Sequence, residues 1–278
     1  MHTNSKGHIY VAAHEVLELP HNDLYKPILV GASTLGSKEE IPKYYLRDDA
    51  GENISDHNCC LSELTGLYWI WKNRDDDWMG LVHYRRFFVR RRTAADYFRR
   101  GRADDLVTKK QLSSLMRNYD LILPGKRYYL IETLYSHYSH TFDGRHLDAA
   151  REIVGLHCPQ FLYSFDRVMK MRSGYMFNMA IMKRKLLDQY CSWLFPILLE
   201  LERRETRLEM DPFQRRFGGR IGELLFNVWL HYQIDRHTLD KKRIFRLPVM
   251  RNDKVNWVRK IAAFMMACLF HKPYVRSW

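Results

Sequence analysis

Apolar residues occur first in short unbroken runs and later in long periodic stretches, and this change of pattern predicts the architecture. "HIYVAAHEV" from residue 8 and "PILVGAS" from residue 27 are nearly continuous, as expected of strands buried on both faces of a parallel sheet. "NISDHNCCLSELTGLYWIWKN", residues 53–73, opens with cap-type residues and then places Leu61, Leu64, Leu67, Tyr68 and Ile70 or Trp71 at roughly helical spacing. It predicts one helix entered through a polar loop. "DWMGLVHYRRFF" predicts the next strand, and "RNYDLILPGK" another, stopped by Pro124 and Gly125. Downstream, "HLDAAREIVGLH" and "RKLLDQYCSWLFPILLELERRE" are the clearest helices, with "GYMFNMAIMKR" between them as a further strand. Strands alternating with helices, followed by more helices, predict an α/β sheet with the later helices packed around it.

Charge adds a partner class. Among 278 residues, 45 Lys and Arg face 32 Asp and Glu, a net +13, which attracts nucleotide diphosphates, acidic lipids or nucleic acid without choosing among them. Five cysteines, an odd number with no CxxC pair, resemble neither a disulfide framework nor a zinc ribbon, and fit a reducing cytoplasmic setting. The first twenty residues lack a secretory apolar core. No run of about 18 apolar residues is present, so a membrane role is expected to be peripheral. The tail "VNWVRKIAAFMMACLFHKPYVRSW" is apolar from Ile261 to Phe270 between Arg259, Lys260, His271, Lys272 and Arg276. Residues 251–278 therefore read as a basic amphipathic tail, a membrane anchor or a packing helix, after a main domain over residues 8–250.

Ligands of open α/β sheets collect beyond the carboxyl ends of strands, which singles out His14, Ser33, "HYRR" at 83–86 and the "PGK" after Leu123. Arg85 and Arg86 there suit a diphosphate, because guanidinium matches phosphate oxygens bidentately and stays charged. The competing reading is a surface pair bonded to Asp75, Asp76 and Asp77. That run contains a literal DxD, a pattern suited to a divalent ion, but it precedes its strand and so belongs to the opposite end of the sheet. A solvated turn is expected. "ENISDHN" supplies Asn53, Ser55, Asp56, His57 and Asn58 before the helix, more polar groups than a cap requires. Glu63, on that helix, reads as solvated or as a tie to a neighbouring loop. Asn178, in an apolar strand, needs a partner, since an unpaired amide costs about 1–3 kcal/mol. Glu223, after Gly218, Gly219 and Gly222, is either a base or a dipole-favoured residue at a helix start. His137 and His140 offer a metal pair or, with tyrosines around them, a wet aromatic surface.

Taken together, "DDAGENISDHNCCLSELTGLYWIWKN", "GLVHYRRFF", "YDLILPGKRYY", "YMFNMAIMKRKLLDQYCSWLFPIL" and "RIGELLFNVWL" resemble, in order and spacing, the capsular and exopolysaccharide glycosyltransferase family catalogued as domain of unknown function 4422. The resemblance implies a GT-A-like (Rossmann-type) nucleotide-sugar-binding sheet. It implies transfer of a sugar, often a galactose form, from a nucleotide diphosphate donor, a UDP-sugar favoured, to a glycan or lipid-linked glycan acceptor of surface polysaccharide. His14, Asn53, Ser55, Asn58, His83, Tyr84, Arg85, Arg86 and Asn178 become the expected donor-binding set. Glu223 is the expected base of an inverting displacement, with Asp143 and Asp166 next in line. Members usually carry a histidine-lysine pair after the first strand, whereas His14 here precedes Glu15. With "HYRR" where related enzymes keep a metal-binding DxD, Arg85 and Arg86 would neutralise the leaving diphosphate, so no cofactor is required and manganese or magnesium is not favoured. The expected location is cytoplasmic, peripheral on the inner face of the membrane. The alternative is a nucleic-acid-binding or membrane-docking module without catalysis, motivated by "FFVRRRTAADYFRRGR". Nucleic-acid binding would weaken steeply with salt, and no nucleic-acid partner is expected of the enzyme.

Overall fold

The computed structural model describes residues 6–35, 40–90, 105–206 and 210–251. Eleven strands occur among them: β1 (Gly7–Ala13), β2 (Tyr25–Leu29), β3 (Leu46–Arg47), β4 (Trp78–His83), β5 (Arg86–Phe88), β6 (Leu121–Leu123), β7 (Arg127–Tyr128), β8 (Ser173–Gly174), β9 (Ala180–Lys183), β10 (Ile244–Arg246) and β11 (Val249–Arg251). The helices are α1 (Asn58–Leu61), α2 (Leu64–Asn73), α3 (Lys109–Asn118), α4 (Leu134–Ser139), α5 (Arg145–His157), α6 (Leu162–Met169), α7 (Arg184–Glu205) and α8 (Phe217–Asp235). The main sheet runs β10-β6-β9-β4-β1-β2-β3. β1 pairs in parallel with β2 and β4, while β9 runs antiparallel between β4 and β6. β7 and β8 form a separate ribbon.

Alternation along β1 explains why its apolar run is unbroken. Tyr10 and Ala12 enter the core made with α2 and α5 to α8, whereas Ile9, Val11 and Ala13 enter a second core with Leu112 and Met116 of α3. Both faces are covered, so neither set of alternate positions can be polar. No helix among the described residues is long and apolar enough to cross a membrane. The basic amphipathic tail expected at residues 251–278, apart from Arg251, and most of the arginine-rich stretch after Val89 lie outside the described residues.

Four local outcomes differ from the pattern reading. The helix expected over 53–73 is split at Ser62, whose φ is 52°. Its carbonyl accepts from Asn58 Nδ2 at 2.8 Å and Thr65 Oγ1 at 3.1 Å, so side chains displace the helical ladder. The strand expected through "HYRRFF" is a hairpin: β4 ends at His83, Tyr84 and Arg85 turn, and Arg86 pairs back opposite His83. The strand expected over "GYMFNMAIMKR" is interrupted between Gly174 of β8 and Ala180 of β9, where Phe177 (φ 78°) and Asn178 (φ 50°) adopt the left-handed region. For Phe177 this is a strained backbone. Finally, α8 begins at Phe217 and is buried almost all round as far as Leu230, which places Glu223 in its second turn. Gly218 and Gly222 allow that burial. An added Cβ would lie 2.7 Å from Cys60 Sγ and 2.5 Å from Leu64 Cδ1, respectively.

Candidate active site

These local departures converge on one cleft. Its floor is the carboxyl end of β1 and β4 (Ala13, His14, His83) and the Tyr84–Arg85 turn, and one wall is the α1–α2 break with Asn58, Ser62 and Glu63. The opposite side carries Arg216, Gly219, Arg220 and Glu223 around the start of α8, with Phe142, Phe177 and Phe213 completing the lining. The space is about 1110 Å³, including the part open to solvent, ample for a small-molecule ligand.

Its polar groups are locked to one another. His83 Nε2 donates to the Phe177 carbonyl at 2.6 Å and lies 3.5 Å from Glu63 Oε1. Burial pulls the His83 pKa below its ordinary 6.5 and Arg86 adds to the effect, against opposition from Glu63 and Glu223. The imidazole is therefore neutral at pH 7, and with its proton on Nε2 it keeps Nδ1 as an acceptor. Asn178 Nδ2 donates to Glu63 Oε1 at 2.7 Å and to the Gly219 carbonyl at 3.0 Å. These two bonds, with the one from His83, hold the left-handed Phe177–Asn178 turn. Asn178 Oδ1 is buried without a hydrogen-bond partner among the described residues.

Glu223, only 4% exposed, pairs through Oε1 with Arg220 Nη1 at 3.1 Å. Arg86 lies 4.1 Å above the Phe177 ring and Arg85 5.0 Å from the Tyr84 ring, stacking that orients each guanidinium. Arg216 Nε donates to Ser62 Oγ at 3.3 Å. His14, 5.1 Å from Tyr84 ring to ring, is pulled below its ordinary value by burial and then by Arg216 and Arg85, against Glu15. Four arginines thus share one opening with two largely buried carboxylates, an arrangement that can hold a polyanion beside a proton acceptor.

Of the residues expected from sequence, His14, Asn58, His83, Tyr84, Arg85, Arg86 and Glu223 line this cleft, and Asn178 braces it through Glu63. Others lie elsewhere. Asn53 Nδ2 bonds the carbonyls of Asp49 and Gly51, closing its own loop. Ser55 is fully buried; its hydroxyl donates to Asp48 Oδ1 at 2.6 Å and accepts from the Ser33 amide at 3.1 Å. Asp48, also fully buried, further accepts the Gly31 and Ala32 amides and the Thr65 hydroxyl, so this polar cluster ties β2 to α2. Asp143 is held down to about 2 by its bond to Arg145, and Asp166 is lowered by Arg151; neither lines the cleft. His137 and His140 each bond a carboxylate oxygen of Glu132. Among the described residues, no group of three or more His, Cys, Asp or Glu is placed to hold a metal ion.

Ser62, Arg216 and Arg220 were not among the residues expected here, and Glu63, expected to be solvated or to tie a neighbouring loop, holds Asn178 and lines the cleft. A signal existed for the arginines: Arg216, Arg220 and Glu223 recur at intervals of four and three, one face of a helix.

With that geometry in place, comparison with known proteins gives two matches. A family model described as "Domain of unknown function (DUF4422)" matches residues 8–234. The solved structure titled "WbbM bifunctional glycosytransferase apo structure" superposes with a TM-score of 0.73 at 25% identity, over 88% of this chain and 45% of that one. This chain therefore spans less than half the length of that protein. No curated protein matches. Mostly parallel strands, flanking helices and this likeness make the fold a GT-A-like α/β fold.

Proposed function

The chain belongs to the DUF4422 family, and we propose that it is a glycosyltransferase, moving a sugar from a nucleotide diphosphate to a glycan or lipid-linked glycan acceptor. The observation that carries the reading is the meeting of Arg85, Arg86, Arg216 and Arg220 with Glu63 and Glu223 at the carboxyl edge of the sheet. The structural likeness to a glycosyltransferase supports it. In this reading the donor diphosphate lies against Arg85 and Arg86. Negative charge that develops on the leaving nucleotide meets fixed guanidinium groups in a partly enclosed site, where such stabilisation is strongest. Glu223 has one oxygen committed to Arg220, and Oε2 takes the proton of the acceptor hydroxyl as that oxygen attacks the anomeric carbon. The carbon–oxygen bond to the diphosphate breaks on the opposite face, so configuration inverts. A UDP-sugar donor of galactose form, a surface-polysaccharide acceptor and a cytoplasmic location at the inner face of the membrane belong to the same proposal. A divalent ion is not required in it, because the arginines supply the positive charge.

Thermal unfolding with a panel of UDP- and GDP-sugars, with and without chelator, tests this. A ligand at about one hundred times its Kd adds about 2.7 kcal/mol, several degrees of Tm. The expected result is stabilisation by a UDP-sugar that persists in chelator, followed by product formation with a matched acceptor. Stabilisation by nucleic acid and by no sugar nucleotide would overturn the enzyme reading. Transfer abolished by chelator and restored by manganese would overturn the metal-independent part alone.

A further inference from the structure

The sharpest exposed apolar feature is the short turn that follows β7. Tyr128, Leu130 and Ile131 are 69%, 78% and 68% exposed. The turn is closed by the Glu132 amide donating to the Tyr129 carbonyl at 2.8 Å, and Leu130 at its apex has a φ of 40°. An aliphatic residue is unfavourable there twice over, since left-handed backbone suits glycine or asparagine and the side chain packs on nothing.

The turn is nonetheless firmly mounted. Its stem is the β7–β8 ribbon, continued by the Tyr129 amide donating to the Arg172 carbonyl at 2.9 Å. Beneath it, Glu132 is bonded by both His137 and His140 of the α4 segment, and Thr133 and Ser136 form a capping box. Cations surround the stem. Arg172 Nη1 donates to the Leu130 carbonyl at 3.4 Å, and Arg127 lies 5.0 Å from the Tyr129 ring. Lys126 and Arg246 both approach Tyr175, at 5.2 and 5.8 Å from its ring centre, and neither has an acidic partner among the described residues. The Lys126 ammonium is lowered first by burial and then by Arg246 and Lys241, an arrangement of like charges awaiting an anion.

We propose that the Tyr128–Ile131 turn is a membrane-docking tip: its apolar side chains enter an anionic bilayer while Lys126, Arg127, Arg172 and Arg246 meet lipid phosphates. Three apolar side chains are too few for a stable protein interface, which buries about 800 Å² per partner. They suffice for an interfacial anchor, in which a few inserted side chains act with basic residues that each add to attraction by anionic lipid. The placement has a consequence for the cleft. Tyr175, which follows β8, is tied to Asn227 of α8, one turn after Glu223: its amide donates to Asn227 Oδ1 and its carbonyl accepts from Asn227 Nδ2, each at 2.8 Å, so the ribbon is mounted on the helix that carries Glu223. A docked protein would therefore hold the cleft beside the bilayer surface. The inference does not depend on the transfer reaction.

The test is sedimentation of the full chain with vesicles of phosphatidylcholine alone or mixed with phosphatidylglycerol, comparing the unaltered protein with Leu130→Asn/Ile131→Ser, whose asparagine suits the left-handed backbone. Binding to the anionic vesicles is expected, with the partition coefficient of the variant lower by about tenfold or more. The variant should keep the thermal shift of the unaltered protein with sugar nucleotides, which shows that fold and cleft are intact. No binding to anionic vesicles, or equal binding of both proteins, overturns the docking tip and leaves the glycosyltransferase reading standing. Self-association without lipid that disappears in the variant also overturns it, in favour of contact between copies. Vesicle binding that behaves as expected in a protein no sugar nucleotide stabilises would separate the two ideas in the other direction.

Discussion

The two ends of β4 carry opposite charges and treat them in opposite ways. At the amino end, Asp76 is 2% exposed and takes His8 Nδ1 at 2.7 Å, the Tyr10 hydroxyl at 3.2 Å and Lys6 Nζ at 3.2 Å. Asp75 takes the same lysine at 3.1 Å, and Asp77 caps the Lys6 amide at 2.8 Å. Each carboxylate there has a partner, and together they fasten the start of β1 to the start of β4. At the carboxyl end, Arg85 and Arg86 are joined by Arg216 and Arg220 around an opening whose lining contributes only two carboxylates. At the amino end paired charges fasten two strands together, whereas at the carboxyl end cationic and acidic side chains line open volume, where they can meet a ligand. The DxD at one end and "HYRR" at the other differ in this respect more than in their residue types.

Substitutions at the two ends should therefore fail differently. The largest expected effect is Glu223→Gln, which removes the proposed base: sugar transfer should fall by about 10²–10⁴-fold while a UDP-sugar still raises the Tm. Near-normal turnover of the folded variant would move the base elsewhere, with Glu63 the first alternative by position. Arg85→Ala should come next, with transfer lower by about 10²-fold and the donor-induced thermal shift diminished, although the unliganded Tm changes little. An unaltered response to donor would detach this arginine from the diphosphate. Asp76→Asn should have the smallest functional effect: unchanged transfer per folded molecule, and a loss of about 1–3 kcal/mol of stability, read as a Tm lower by a few degrees. Its pH dependence follows from the pairing. Burial pushes the Asp76 carboxyl up, but its bonds to His8 and Lys6 prevail and hold it below the ordinary 3.8. The stabilisation is therefore complete above about pH 4 and is lost as pH falls through the lower folded value, so the Tm curves of parent and variant should converge in acid. A gap that does not narrow as the pH falls towards acid unfolding would show that shape, not charge, is the role of Asp76.

Much of the sheet was legible because burial on both faces writes itself as unbroken apolar runs. β6 lies within a segment read as a strand, β1 and β2 overlap theirs, with β2 beginning two residues before the apolar run at Pro27, and α7 spans Arg184–Glu205 as its periodicity predicts. The placement of "HYRR" at the ligand edge was also legible, from strand direction alone. What escaped the pattern was local and polar. Asn58 and Thr65 break a helix whose apolar spacing runs straight through, and the bond His83 donates to Phe177, with those Asn178 donates to Glu63 and Gly219, turns Phe177 and Asn178 out of a strand. Hydropathy registers none of these bonds, because each joins residues distant in sequence or competes with a regular ladder.

The candidate site divides the same way. Asn53 and Ser55 sit in a polar stretch as inviting as "HYRR", but their hydrogen bonds close a loop and brace Asp48. Asp143 and Asp166 carry the right chemistry and are held by arginines outside the cleft. Arg216 and Arg220 entered the site only because glycines let α8 approach α1 and the start of α2 closely enough to bring its first turns to the end of β4.

By itself, then, the sequence determined the main buried strands and long helices, the excess of positive charge and the end of β4 at which "HYRR" stands, since these depend on periodicity and composition along a single chain. The tertiary structure decided which charges pair and which converge, because that depends on distances between segments far apart in the chain, such as the 154 residues separating Ser62 from Arg216. Over such separations only the packed fold sets the distance on which an electrostatic interaction depends.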